Sequence, residues 1–150
     1  MQEAFLEEAS YEATIGVKNK DGGPFGAIIV DDDDNIISRG HNMVLSTNDP
    51  TNHAEIVAIR EACKKLGTHD LSGYTIYSSC EPCPMCLSAI AWSNLDKIVY
   101  GATRKDAEKA GFRDDALYEY FKGENSIINK QELISRDCIR VLDEYEGEVY

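Results

Sequence analysis

Positive charge is scarce in this sequence: 15 Lys and Arg stand against 27 Asp and Glu over 150 residues, a formal net charge of −12 at pH 7. Affinity for nucleic acid rests mainly on neutralising phosphates, so this balance disfavours a polyanionic partner and favours a small uncharged substrate over DNA or RNA. Long apolar runs are missing as well. No stretch approaches the ~20 residues needed to cross a bilayer. The N-terminal Met1-Gln2-Glu3-Ala4-Phe5-Leu6-Glu7-Glu8 is acidic, where a signal peptide would have a basic segment followed by an apolar one. Cysteines number five, an odd count, and two of them fall in a Cys-x-x-Cys. That usage fits metal or redox chemistry better than a secreted disulfide framework, and it implies a reducing, cytoplasmic setting. There is no internal repeat, no linker and no low-complexity segment apart from the four aspartates at 31–34. The length suits a single domain, residues 1–150, able to bury a core without disulfide staples.

What is present reads as alternating helices and strands. Phe5, Leu6, Ala9, Ala13 and Val17 recur at spacings of three and four, one apolar stripe on a helix over residues 3–18, which the breakers Asn19-Lys20-Asp21-Gly22-Gly23-Pro24 end. Residues 25–30 and 36–40 are β-capable and flank Asp31-Asp32-Asp33-Asp34-Asn35, which predicts a β-hairpin. Sequential carboxylates in a tight turn rarely converge on a cation, so the aspartates read as a solvated turn. Asn48-Asp49-Pro50-Thr51-Asn52 supplies helix-start residues for a helix over 53–66, with Gly67 as its stop. Residues 74–79 and 97–102 read as strands on either side of a helix over 82–92. Further on, short helices are expected over 105–110 and 116–121, and residues 138–142 read as a last strand, or as a strand leading into a short terminal helix. The alternation predicts an α/β fold, a three-layer α/β/α sandwich around a mixed, largely parallel sheet of five strands.

The chemistry is concentrated in Cys80-Glu81-Pro82-Cys83-Pro84-Met85-Cys86 and in His53-Ala54-Glu55. His53, Cys83 and Cys86 are three ligand types that zinc accepts, and a tetrahedral ion needs four. No fourth Cys or His sits at the short spacing of a closed structural site, which leaves one position for water and points to catalysis. Zinc lowers the pKa of a bound water to about 7, and a carboxylate beside it can carry the proton; Glu55 fits that role. Residues 53 and 55 lie about 200° apart around a helix axis and share no face in mid-helix, but in a first turn both reach a site off the helix end. Cys83 and Cys86 fall one turn apart at a strand-to-helix transition, where the positive end of the helix favours thiolates. A thioredoxin-like redox pair is the competing reading of Cys83 and Cys86, but it has no need of a His-x-Glu opening another helix. Cys63 and Cys138 read as small buried thiols in apolar segments, and Cys80 is too close in sequence to Cys83 to be the preferred ligand.

These residues carry a resemblance. The His-x-Glu and Pro-Cys-x-x-Cys pair is the pattern of zinc-dependent nucleobase deaminases. From Gly23-Pro24-Phe25-Gly26-Ala27 through Asn42, Asn48-Asp49-Pro50-Thr51 and residues 53–55 to Ser79-Cys80 and residues 81–86, the chain resembles the cytidine deaminase superfamily. Within it the bacterial guanine deaminases are most similar, on the Ala-Gly-Phe-x-Asp of residues 110–114. The resemblance implies one Zn2+ per chain on His53, Cys83 and Cys86, with Glu55 as proton shuttle. It also implies that Asn42 hydrogen-bonds the base, that Phe25 and Phe112 flank its ring, that the main-chain N–H of Ala54 faces the site, and that Asp114 is a second proton-handling or amino-binding carboxylate. Arg113 stands where such relatives often have a second acidic residue. The implied assembly is a homodimer, with the C-terminal segment exchanged between subunits and Tyr150 capping a site. The implied reaction is hydrolytic deamination of a free purine base, guanine to xanthine; a tRNA adenosine deaminase, or a non-catalytic zinc module of the same fold, are the alternatives.

Overall fold

In a computed structural model of the protein, which describes residues 1–150, the N-terminal stripe forms helix α1 (Gln2–Lys18), burying Phe5, Ala9, Ala13 and Gly16. Strand β1 (Gly26–Val30) is buried along its whole length and pairs antiparallel with β2 (Ile36–His41). The turn between them is organised from within. Asp31 Oδ1 accepts the N–H groups of Asp33 and Asn35 at 2.9 and 2.8 Å, as an Asx turn does, and the remaining aspartates face solvent. A short helix α2 (Val44–Thr47) leads to α3 (Ala54–Leu66), which Gly67 ends in a left-handed conformation, φ 67°. Then come β3 (Thr75–Ser78), α4 (Pro84–Trp92), β4 (Lys97–Tyr100) and α5 (Arg104–Lys109), the last held by a Thr103–Asp106 capping box.

The sheet has four strands in the order β2-β1-β3-β4, not the five the sequence predicts. The missing strand is residues 138–142, which lie in a helix, α7 (Arg136–Asp143). Cys138, Val141 and Leu142 repeat at three and four, Arg136, Asp137, Arg140 and Asp143 take the other positions save that of Ile139, and the Ser135 hydroxyl caps the Cys138 N–H at 3.4 Å. That short apolar run alternates with charge at a helical period, not a strand period. Only one of the three pairings is parallel, β3 with β4; both pairings of β1 are antiparallel. Strands β2, β3 and β4 do run in one direction, but the hairpin inserts β1, reversed, between β2 and β3.

Residues divide into two compact units, Met1–Asp114 and Asp115–Tyr150. Within the first, three layers follow from the alternation of side chains along β1. Ala27 and Ile29 pack with Ala54, Ala58 and Ala62 of α3, with Ile76 and with Ile90 of α4. Ile28 and Val30 pack with Phe5 of α1 and Tyr77 on the opposite face. The second unit contains α6 (Asp115–Phe121) and α7, with Cys138 exposed on α7 where a buried thiol is expected, while Cys63 is half-buried.

Small residues set how closely the helices approach the sheet. A Cβ on Gly40 would lie 2.7 Å from both Ala54 O and Ala58 N of α3, and one on Gly26 would meet the Ala9 carbonyl of α1. Helix backbone cannot retreat from such a contact as a side chain would. Gly40→Ala is expected to cost about 1–3 kcal/mol, by displacing the helix from its strand. Urea denaturation measures this, and a variant as stable as wild type would show that the close approach of α3 to β2 is not needed.

Candidate active site

Helices α3 and α4 begin alike. His53 is the N-cap of α3 (φ −68°, ψ 160°) and Cys83 the N-cap of α4 (φ −67°, ψ 168°), each in extended backbone with a side chain that makes no cap hydrogen bond. N-cap side chains usually accept from the first turn of their own helix; here both are turned to a common point instead. Pro84, at the first helical position, has no N–H to satisfy and its φ is already helical. Cys86 lies one turn further along α4, fully buried.

His53 Nδ1 lies 3.5 Å from the sulfur of Cys83 and 3.5 Å from that of Cys86, and the three ligand atoms fall within 4.8 Å of one another. Zinc bonds of about 2.3 Å to sulfur and 2.0–2.1 Å to nitrogen, set at the tetrahedral angle, require about 3.5–3.6 Å between N and S. The donors therefore fit zinc in type, number and spacing. Their protonation points the same way. The Cys83 thiol is driven down to about 4, first by the hydrogen bond from Cys86 and then by His53, while Cys86 is pushed far up by the same bond and by burial. His53 is raised by its bond to Cys83. Two sulfurs sharing one proton against an imidazole form a cluster that a divalent cation would neutralise.

Glu55 sits in the first turn of α3, is 5% exposed, and Oε1 accepts the Ser78 hydroxyl at 3.1 Å. Burial drives its pKa above the ordinary carboxylate range, and the Ser78 bond partly opposes that. Ser78 ends β3 and is itself buried, a small hydroxyl directly after the buried Ile76 and Tyr77; that is the signal by which sequence could have found it. Ala54 is fully buried at the first helical position, where an N–H has no intrahelical acceptor. Cys80 lies outside the cluster: its sulfur faces the Thr103 carbonyl at 3.6 Å, and burial pushes its pKa up to about 11.

A second group of residues lies around the loop that follows α1. Asn42, 6% exposed, donates its N–H to the Phe25 carbonyl at 3.0 Å and accepts the Val44 N–H on Oδ1 at 3.0 Å. Phe25 and Phe112 meet edge to face, ring centroids 5.0 Å apart. Gly22 crosses directly over the Asn42 carboxamide, and a Cβ on Gly23 would lie 3.1 Å from both Phe rings, so both positions exclude a side chain. The Met43 N–H reaches the Asn52 carbonyl at 2.9 Å, tying this group to the segment that enters His53. Asp114 pairs with Arg104 Nε at 3.1 Å, and Arg113 turns away to Glu108 at 2.8 Å. Tyr150 belongs to the second unit and is exposed.

Comparison with known proteins agrees with this arrangement. Residues 1–102 match the family model described as the cytidine and deoxycytidylate deaminase zinc-binding region. A guanine deaminase of Bacillus subtilis is 50% identical over 117 residues, covering 78% of this chain and 74% of that protein. The X-ray structure of guanine deaminase from Bacillus subtilis superposes with a TM-score of 0.89 over 99% of this chain and 97% of the other, at 40% identity. A tRNA-specific adenosine deaminase of Buchnera aphidicola is 36% identical over 122 residues, 81% of this chain and 79% of that protein.

Zinc analysis of the purified protein is expected to give one ion per chain. Cys83→Ala and Cys86→Ala should lose it, whereas Cys80→Ala should retain it; a Cys80 variant without zinc would move the ligand set. Three donors at tetrahedral spacing, a buried carboxylate beside them and a family match over residues 1–102 agree, and the chain belongs to the zinc-dependent cytidine and deoxycytidylate deaminase family.

Proposed function

We propose that this protein hydrolytically deaminates a free purine base, guanine, to xanthine and ammonia. The observation that carries the reading is the buried Glu55 beside the His53, Cys83 and Cys86 cluster, a carboxylate that a closed structural site would not need. The substrate rests on the guanine deaminase of Bacillus subtilis, 50% identical over 117 residues, and on the Phe25, Asn42 and Phe112 group.

His53, Cys83 and Cys86 would hold the zinc, which when bound acts as a Lewis acid and makes water nucleophilic near neutral pH. Glu55 is the catalytic acid–base: it passes one proton of the attacking water to a ring nitrogen, then carries the second, from the hydroxyl that has been added to the base, to the amino group that departs as ammonia. Its burial suits a group that must both accept and give a proton near neutrality, and the Ser78 hydroxyl holds one oxygen fixed while the other works. Asn42 hydrogen-bonds the base edge, its carboxamide oriented by Val44, and the Ala54 N–H faces the reacting oxygen. Phe25 and Phe112 hold the ring by its faces and edge. Asp114 receives the amino and ring N–H edge, which adenine does not present in the same form; Arg104 orients it.

The same reading places the protein in the cytoplasm, in keeping with five cysteines outside any disulfide, and no helix is long and apolar enough to cross a membrane. It makes residues 1–150 one deaminase domain working as a homodimer, with the C-terminal segment exchanged and Tyr150 closing a partner's pocket. Leu133, Leu142 and Val149 are 83, 76 and 89% exposed, apolar surface that exchange would cover. Light scattering should then give about twice the chain mass of 16.7 kDa; a monomer at working concentration overturns the exchange.

Ammonia release is measured from guanine, guanosine, adenine, cytosine and cytidine. Guanine is expected to be the substrate, and Glu55→Gln is expected to lower its turnover by about 10²–10⁴-fold with zinc content unchanged. Equal rates for the two proteins would sink the role of Glu55. Activity confined to adenine or cytosine would sink the substrate, and deamination of tRNA adenosine with strong salt dependence would install the tRNA reading that the Buchnera aphidicola relative represents.

A further inference from the structure

His41 ends β2, immediately before Asn42, and is held on both sides. Its Nδ1 lies 3.1 Å from Glu12 Oε2 of α1 and its Nε2 lies 2.8 Å from Asp21 Oδ2 of the following loop, with the three side chains only 16, 13 and 18% exposed. A neutral imidazole has one N–H and one lone pair, so it can satisfy only one of two carboxylates. Two carboxylates at hydrogen-bond distance from both nitrogens call for the imidazolium. The side chain also packs against α1, where a Cβ on Gly16 would stand 2.8 Å from Cδ2, so only a residue without a side chain fits there.

Asp21 anchors the loop that lines the base pocket. Its N–H reaches Gly16 O at 2.9 Å, and its carbonyl accepts the N–H groups of Leu45 and Ser46 at 3.0 Å each. Gly22 and Gly23 follow directly, lying over the Asn42 carboxamide and against Phe25 and Phe112. We propose that His41 is a positioning residue: as an imidazolium bridging Glu12 and Asp21, it holds residues 21–25 against Asn42 and so sets the affinity for the purine. The proposal rests on Asn42 and Phe25 being the residues that hold the base.

The charged groups that face the ring are Glu12 from α1 and Asp21 from the loop. Glu8, one turn earlier on α1, is taken up by Arg39 at 2.6 Å, and α2 carries no charged side chain. Burial by itself would lower the His41 pKa; the hydrogen bonds to Glu12 and Asp21 outweigh it and raise the value above 6.5. Asp21 is lowered in turn by its bond to His41. A raised histidine pKa means that the clamp is complete below the ordinary histidine value of about 6.5 and is lost as the pH climbs through the raised value.

Zinc-loaded wild type, His41→Gln and Asp21→Asn are compared with guanine at pH about 6 and about 9, below and well above the ordinary histidine value. His41→Gln should raise KM about tenfold at the lower pH, the weight of a charged hydrogen bond, with kcat within about twofold. The ratio of variant to wild-type KM should shrink at the higher pH; ionisation of guanine itself is common to both proteins and cancels. Asp21→Asn, which keeps the main-chain bonds of that residue, should raise KM by a smaller factor. Independently of turnover, nitrogen-15 spectra at pH about 6 should show both ring nitrogens of His41 protonated, the signals being those absent from His41→Gln. A KM ratio indifferent to pH, a kcat that falls together with affinity, or a neutral ring in the spectrum overturns the proposal. Wild type inactive on guanine removes the substrate reading instead, and the spectrum still decides the clamp.

Discussion

The active site depends on two helices that begin without capping themselves. His53 and Cys83 occupy positions where Ser, Thr, Asp or Asn would normally accept an N–H of the first turn, and neither side chain does so. The orphan N–H groups and the positive ends of α3 and α4 are thereby left facing the ligand cluster, which favours thiolate at Cys83. Capping energy is forgone at both starts, and what is gained is three donors spaced for a metal. The sheet makes this possible, because Gly40 and the alanines of α3 let that helix lie close on β2 while β3 delivers Ser78 beneath Glu55.

Opposing requirements meet at Glu55. Burial raises its pKa and makes it a useful proton carrier, but an unsupported buried carboxylate would be costly and free to turn. Ser78 satisfies one oxygen without a formal charge, so the carboxylate is oriented and is not neutralised as it would be by a Lys or Arg. A hydroxyl in that place preserves the basicity the reaction needs.

How much of this was legible in the sequence depends on how far apart the interacting residues lie. His53, Glu55, Cys83 and Cys86 could be read because each pair is local and each sits at a helix start whose breakers and caps are visible. The hairpin was legible for the same reason, from Asp31-Asp32-Asp33-Asp34-Asn35 between two β-capable runs. Phe25, Asn42, Phe112 and Asp114 could be named only through resemblance, since nothing in their local spacing says that Gly22 and Gly23 bring three of them together. Ser78 and His41 were missed: their partners lie 23 residues away in one case, and 29 and 20 in the other. The fifth strand failed differently. Residues 138–142 are apolar enough for a strand, but with the charges of 136, 137, 140 and 143 included the period is helical, and Ser135 supplies the cap.

The acidity of the chain takes on a more specific meaning once the pairs are located. Glu8, Glu12, Asp21 and Asp114 are not solvated excess charge, since each is matched by Arg39, His41 or Arg104. Two of those pairs flank the proposed base pocket from opposite sides in sequence: His41 precedes Asn42, and Arg104 orients Asp114, two residues after Phe112. Arg104 is also joined to the metal loop, its N–H reaching Glu81 Oε1 at 3.3 Å while the Glu81 N–H holds the Ala102 carbonyl at 2.8 Å. The proposed recognition of an amino group by Asp114 requires that carboxylate to be held still. Arg104, anchored to the segment that enters Cys83, holds it, and three polar contacts then connect Asp114 to the metal loop.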